Sequence, residues 1–359
     1  MKFEPNSATN SEIQPVGWAL FGASRAAQHF LIPALRAQQL PGNPSVSGAR
    51  IVGVFSHSRN RGNDFAAQNR LARAYTDRDE LLKRGEVSCV YVGSHPRHQY
   101  ANALAALEAG KDVLCETPVG LSMREALGLQ QVADSQGLLF VPNYAYRGDA
   151  AIARMAELVR DYAIGELLGG QVINCAPLPA DLHTWRLGAD GGGVVLDRTI
   201  HDIDLVRWLF ADEVEQVTAL ASRRALGRDV DDDVVVNLRL RRGGQLVHCH
   251  DSFVTPHRFS SLELYGSRGS LRVHHWWSRR RPSELLFIRN DEVEVIPVQG
   301  PDHYTASVAA FHRALHSRAT GSASLGFLAS ARDGVANLQT ALAVLESARN
   351  GVSVRVEYT

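Results

Sequence analysis

A chain of 359 residues is long enough for two domains with separate cores. Hydrophobic residues make up 45% and charged residues 21%, an ordinary globular balance, and 38 basic residues offset 38 acidic ones. No net field therefore draws the chain to nucleic acid or anionic lipid, and no apolar run reaches membrane-spanning length.

Residues 1–14 read as a loose polar tail, and Met1-Lys2-Phe3-Glu4-Pro5-Asn6 has no apolar core of signal-peptide length. The cysteines Cys89, Cys115, Cys175 and Cys249 are scattered, without the paired spacing of a zinc site. The expectation is a cytoplasmic protein with no metal and no nucleic-acid or membrane partner.

From 15 to 142, short β-rich runs (Val16–Phe21, Arg50–Phe55, Ser88–Val92, Asp112–Cys115, Leu138–Val141) alternate with amphipathic stretches such as Gln99–Leu107 and Met123–Asp134. Strands separated by helical crossovers predict an α/β Rossmann domain with a doubly wound parallel sheet. From 143 to 359 the texture changes. A helix near 148–163 precedes a strand at Gly170–Cys175, and a helix near 200–210 follows. Residues 213–298 then read as successive strands with turns at Arg242-Gly243-Gly244 and Gly266-Ser267-Arg268-Gly269. This predicts an α+β domain with a large open, mostly antiparallel sheet. Helices near 303–317 and 327–349, which could pack back on the first domain, and a strand at Val352–Tyr358 close the chain. Too few helices remain to cover both faces of the second sheet. The uncovered face is expected to make a homodimer or homotetramer.

Gly22-Ala23-Ser24-Arg25-Ala26-Ala27 follows the first strand directly. In a dinucleotide turn the first Gly permits the bend, the second admits the pyrophosphate, and the third position needs a small residue. Gly22 and Ala27 satisfy the first and third requirements, while Ser24 replaces the second Gly. An NAD site places an acid after the second strand, but this chain reads Ser56-His57-Ser58-Arg59, with no acid until Asp64. Hydroxyls and a guanidinium suit a 2′-phosphate, so NADP(H) is favoured and NAD(H) is the alternative.

Three further segments carry a resemblance. They are Ala105 to Pro118, with Gly110-Lys111 and Cys115-Glu116-Thr117-Pro118; Gly191-Gly192-Gly193-Val194-Val195-Leu196-Asp197 with His201 and Asp204; and Trp185-Arg186 between them. In order and separation they resemble the Gfo/Idh/MocA oxidoreductase family. Gly22-Ala23-Ser24, Phe55-Ser56-His57-Ser58 and His250-Asp251-Ser252-Phe253 resemble its 1,5-anhydro-fructose reductase-like members. The resemblance implies that Gly22, Ser24, Arg25, Ala26, Ser56, Ser58, Arg59, Ser94, His95, Glu116, Thr117 and Pro118 border the cofactor. It likewise implies that Trp185, Arg186, Asp204 and Asn143 meet a sugar-like or cyclic polyhydroxylated substrate, and that His201 and Asp197 sit at the catalytic centre. Asp197 and His201 are four apart and share a face if the helix begins by Asp197.

Where the family has a lysine between Glu and Pro, this chain has Thr117, a hydroxyl too weak to replace an ammonium. Lys111 stands at the wrong end of its strand. His201 is then the expected proton donor, with Tyr144 or Tyr146 as a phenol and His95, in the loop Ser94-His95-Pro96-Arg97-His98-Gln99, as further candidate acids. The alternatives are a non-redox activity (elimination, epimerisation or hydrolysis) with the dinucleotide retained, or a binding protein without chemistry. His248-Cys249-His250-Asp251 offers at most two histidines on one strand face, short of a metal set. The run Arg279-Arg280-Arg281 beside Trp276-Trp277 reads as a solvated strand end or a subunit contact.

Overall fold

The computed structural model describes residues 15–38, 48–226, 229–256, 260–276, 281–290, 292–321 and 324–358. The expected tail over 1–14 and Trp277 to Arg280 of the basic run lie outside the described residues.

The first sheet contains β1 (Val16–Phe21), β2 (Ala49–Phe55), β3 (Ala74–Tyr75), β4 (Cys89–Val92), β5 (Asp112–Cys115) and β6 (Phe140–Pro142). They are all parallel, in the order β3-β2-β1-β4-β5-β6. The order reverses between β1 and β4, which opens a crevice at the strand C-termini where such sheets bind ligands. Strands buried on both faces read as continuous apolar runs, and Trp18 to Phe21 are fully buried.

Connections run through α1 (Ile32–Ala37, continuing a π-helical turn over Ala27–Leu31), α2 (Arg59–Gln68), α3 (Arg78–Leu82), α4 (Pro96–Glu108) and α5 (Met123–Gln136). The Ser122 hydroxyl caps α5 by accepting from Glu125 N, and Gly137 ends it in the left-handed conformation.

The second sheet has nine strands. They are β7 (Leu167–Cys175), β8 (Val214–Ser222), β9 (Asp233–Leu240), β10 (Leu246–Ser252), β11 (Ser261–Gly266), β12 (Gly269–His274), β13 (Glu284–Arg289), β14 (Glu292–Ile296) and β15 (Val354–Arg355). Their order is β14-β13-β12-β11-β7-β10-β9-β8-β15, and among the described strands of this sheet β7 with β10 is the one parallel pair. Helices α6 (Ala150–Arg160), α7 (Ile200–Phe210) and α9 (Ala331–Asn350) lie on the inner face. Alternation decides the faces: Val234, Val236, Leu238 and Leu240 point inward and are buried, while Leu220 on β8 and Leu246 on β10 are 73% and 63% exposed on the other side. On that outer face His248 is hydrogen-bonded to Asn237 (3.1 Å) and His250 is paired with Asp233 (2.9 Å), with Cys249 buried behind them. Local partners thus absorb both histidines.

Helix α8 (His303–Ala319) crosses back to the first sheet. Phe311 packs on Trp18 at 5.2 Å between ring centres, and the Trp18 indole N–H donates to His312 Nε2 at 3.0 Å. With α1 it covers the face formed by Trp18, Leu20, Tyr91 and Leu114. The other face joins the core of the second sheet in one continuous apolar cluster. The ligand crevice is therefore walled by both halves of the chain.

Candidate active site

The glycine turn is set by contact between two strand ends. Gly22 has φ +115°, and a Cβ there would lie 2.9 Å from the Gly93 carbonyl oxygen and the Ser94 nitrogen. Ser24 Oγ accepts from Ala27 N (3.2 Å), and Ala26 precedes the π-helical turn. Arg25 reaches across the crevice to an ion pair with Asp181.

At the end of β2, Ser56 is buried, Ser58 caps α2 by accepting from Arg61 N (3.3 Å), and Arg59 is exposed. Arg61, which the sequence reading passed over, donates to the Ala23 carbonyl through Nε (3.2 Å) and Nη2 (2.9 Å). Its guanidinium thus lies against the glycine turn. A cap at Ser58 puts Arg61 in the first helical turn, where side chains lean back toward the N-terminus, so a helix-start signal could have found it. A nicotinamide dinucleotide fits these residues: the turn has no room for a Cβ, two guanidiniums border it, and no carboxylate follows β2.

After β4, Ser94 Oγ accepts from Asn102 (3.0 Å) and His95 caps α4, its Nδ1 accepting from Arg97 N (3.3 Å). His95 also meets the Trp185 ring at 5.7 Å. Arg97 and the neighbouring His98, with burial, hold the His95 imidazole below its ordinary range, burial contributing most. After β5, Glu116 is a structural acceptor. Its Oε1 receives Asn143 Nδ2 (2.7 Å), the Tyr91 hydroxyl (2.8 Å) and the Tyr304 hydroxyl (2.9 Å). Burial pushes the Glu116 carboxyl up, and the three donors oppose that shift. Asn143, expected at the substrate, is thereby placed against Glu116.

The next residue reaches the centre of the site. Thr117 Oγ1 lies 3.2 Å from His201 Nε2, and the Thr117–Pro118 peptide is cis. The His201 ring is held edge-to-face by Tyr144 and Tyr146, each 5.5 Å away. Tyr146 in turn stacks on His303 (4.9 Å) and meets Trp276 edge-on (5.1 Å). Burial lowers the His201 imidazole to about 4; Asp197 opposes this and His303 adds to it. His201 is therefore neutral at pH 7, where an unperturbed histidine would be about one quarter protonated. Tyr144 is buried, and burial with the Asp204 charge pushes its phenol further up, which makes it a poor proton donor.

Asp197 stands on a π-helical turn, Val195–Thr199, that leads into α7, so it and His201 do share a face. The Asp197 carboxylate is paired with Arg186 Nε (2.8 Å), whose guanidinium lies over the Trp185 ring at 4.4 Å. Of the glycines before it, Gly191 serves contact between the two halves: a Cβ there would lie 2.7 Å from Pro96 Cβ and 2.9 Å from Leu121 Cδ2. Asp204 continues the same stripe but is placed away from the crevice. It is 1% exposed, bound bidentately by Arg147 (2.6 and 2.8 Å) and by Asn337 Nδ2 (2.7 Å).

The structure thus brings together Thr117, His201, Asp197, Arg186 and Trp185, and adds Tyr146, His303 and Trp276. His303 lies more than a hundred residues from His201 at the first turn of α8, and no local pattern connects them. Among the described residues, no group of three or more His, Cys, Asp or Glu could hold a metal ion, and no helix is long and apolar enough to cross a membrane.

Comparison with known proteins adds the family. Residues 16–144 match the oxidoreductase family NAD-binding Rossmann fold, and residues 152–272 match the GFO/IDH/MocA C-terminal domain. The chain is 31% identical to 1,5-anhydro-D-fructose reductase of Ensifer adhaerens, over 95% of this chain and 98% of that one. It is 27% identical to trans-1,2-dihydrobenzene-1,2-diol dehydrogenase of Bos taurus, over 75% and 79% respectively. Among solved structures it shares its fold with an inositol dehydrogenase homolog from Azotobacter vinelandii complexed with NADH and myo-inositol (TM-score 0.81, 20% identity, 95% and 98% covered). Levoglucosan dehydrogenase in complex with NADH and levoglucosan is equally similar (TM-score 0.82, 20% identity, 96% and 100% covered). The chain is an oxidoreductase of the Gfo/Idh/MocA family, with an NAD-binding Rossmann fold.

Proposed function

We propose that the protein is an NADP(H)-dependent oxidoreductase that interconverts an alcohol and a carbonyl on a sugar-like or cyclic polyhydroxylated small molecule. The observation that carries this reading is the pairing of Thr117 with His201 beside the crevice. A bound nicotinamide dinucleotide supplies or accepts the hydride; the chain's own residues must handle the proton. A neutral His201 accepts a proton from the substrate alcohol in oxidation, and its imidazolium returns one in reduction. Thr117 orients the imidazole and supplies no charge. Asp197, the nearest carboxylate acting on His201, favours the imidazolium when it forms. Trp185 with its stacked Arg186 offers a flat face and N–H donors to a polyhydroxylated ring.

The substrate class is supported by the relatives, whose names specify an anhydro-sugar, an inositol and a cyclic diol. The preference for NADP(H) over NAD(H) is supported by Ser56, Ser58, Arg59 and Arg61 and by the lack of an acid after β2. Residues 15–142 serve as the nucleotide domain and 143–359 as the substrate domain. The outer face of the second sheet, with Leu168, Leu220, Leu246 and Val295 exposed, is the surface for self-association, which light scattering would test.

The decisive experiment titrates NADPH and NADH by nicotinamide fluorescence and then screens cyclic sugar carbonyls and polyols for turnover. NADPH-dependent turnover abolished by His201→Ala is expected. Tight dinucleotide binding with no turnover on any of them, unchanged by Thr117→Lys, would point instead to a non-redox activity.

A further inference from the structure

A string of imidazoles borders the crevice at the ends of β2 and β4. His57 follows Ser56 at the end of β2, and His98 lies in the first turn of α4. Their ring centres are 5.2 Å apart, and Phe55 braces His57 edge-on at 4.9 Å. His95 continues the string at 6.1 Å from His98 and meets Trp185 of the other half at 5.7 Å. His57 is exposed, while His98 and His95 are half-buried.

The groups around them are overwhelmingly cationic. On α4, Arg97 donates from Nε to His98 Nε2 (3.1 Å). From the second half, Asp190 approaches and is engaged by Arg97 (3.3 Å). The first turn of α2 holds Arg59 and Arg61 and no acid, and Arg61 is bound to the Ala23 carbonyl. The neighbourhood of His57 and His98 is thus laid out for an anion.

We propose that His57 and His98 are specificity-determining residues that bind the 2′-phosphate of the adenosine ribose, with a proton taken up at His98 on binding. This rests on the NADP(H) reading above, since the end of β2 is where the 2′ substituent lies in such folds. Three features favour it. The pair spans the ends of β2 and β4, on either side of the glycine turn that follows β1. Burial, Arg97 and His57 hold the His98 imidazole below its ordinary range, so it enters neutral. A dianionic phosphate brought against it reverses that balance and favours the imidazolium. Affinity for the phosphorylated cofactor then depends on pH, whereas affinity for its unphosphorylated counterpart does not.

The test measures dissociation constants for NADPH and NADH from pH 6.5 to 8.5, a range in which the phosphate is mainly dianionic. For the wild-type protein, NADPH is expected to bind about tenfold more tightly at pH 6.5 than at pH 8.5, as a rise of about two pKa units on binding gives in that window, with NADH changing less than about twofold. Calorimetry in buffers of different ionisation enthalpy should show proton uptake with NADPH alone. The double variant His57→Gln/His98→Gln should lose both the slope and the uptake, and His98→Arg should keep the NADPH preference without the slope. A preference for NADPH that is flat with pH, or a slope that survives in the double variant, overturns the role of the histidines and leaves the NADP(H) reading intact. Tighter binding of NADH at every pH overturns both.

Discussion

Asp197 and Asp204 lie seven residues apart on one helical stripe, with His201 between them, yet their surroundings share almost nothing. Asp197 sits at the end that borders the crevice, where it pairs with Arg186 and tilts His201 toward its charged form. Asp204 sits at the inner end, where Arg147 and Asn337 occupy its oxygens and Asp333 and Arg207 extend the network. Helical periodicity puts the three residues on one face, but it does not say what the face meets along its length. One end of the stripe serves chemistry, and the other clamps α7 and α9 to the segment that follows β6. A buried charge with two well-placed partners is costly to disturb, whereas a half-exposed ion pair can vary cheaply.

Cutting the stripe at its middle gives the largest expected effect. His201→Ala removes the group that exchanges the proton, and turnover should fall by about 10²- to 10⁴-fold with cofactor affinity nearly unchanged. Steady-state kinetics with fluorescence titration of NADPH separates the two. Turnover that stays within a few-fold of wild type would move the proton to another group, and Tyr146 would be the next to substitute.

Cutting it at the inner end should unfold rather than inactivate. Asp204→Ala leaves the Arg147 guanidinium, 4% exposed, without its bidentate partner, and should cost about 3–5 kcal/mol of stability in urea melts. What survives folded should keep a wild-type KM. A folded Asp204→Ala protein with a raised KM would restore Asp204 to the substrate site, where the family resemblance puts it.

Much of this arrangement was legible beforehand. The alternation of strands and helices, the turn at Gly22 and the segments around Glu116-Thr117-Pro118 and Gly191 to His201 all depend on residues close in sequence, and local patterns report them. The start of α4 was drawn late, at Gln99, because Pro96 looks like a breaker although it is favourable in a first helical turn. Gly191 is small so that the second half can close on Pro96 and Leu121, a demand that comes from residues distant in sequence. Tyr304 reaching Glu116 and His303 reaching Tyr146 were not legible at all. They arrive on α8, whose return to the first sheet is decided by the fit of Phe311 and His312 on Trp18.

The crevice end of the stripe can be sharpened through pH. Because burial lowers His201 to about 4, its imidazolium population falls tenfold for each pH unit above that value. Carbonyl reduction limited by proton donation should therefore slow by about tenfold per unit between pH 5 and 8, while alcohol oxidation should be level across the same range. The same lowering bears on stability. The unfolded chain binds a proton near pH 6.5 that the folded chain refuses until about 4, so the His201 contribution is fully present above 6.5 and is lost as pH falls through that window. His201→Gln should flatten both profiles. Asp197→Asn should move the kinetic one to lower pH, since the carboxylate is what favours the imidazolium.

Thr117 should give the smallest effect and discriminate most finely. Thr117→Val keeps the shape and removes the hydroxyl 3.2 Å from His201 Nε2. One such hydrogen bond is worth about 1 kcal/mol, which is roughly a fivefold loss of kcat if Thr117 only orients the ring. Thr117→Ser should recover most of that loss, because the hydroxyl returns. If Thr117→Val instead cost as much as His201→Ala, the hydroxyl would be part of the proton path. The two residues would then act as one unit, and the crevice end of the stripe would extend beyond α7 onto the segment that follows β5.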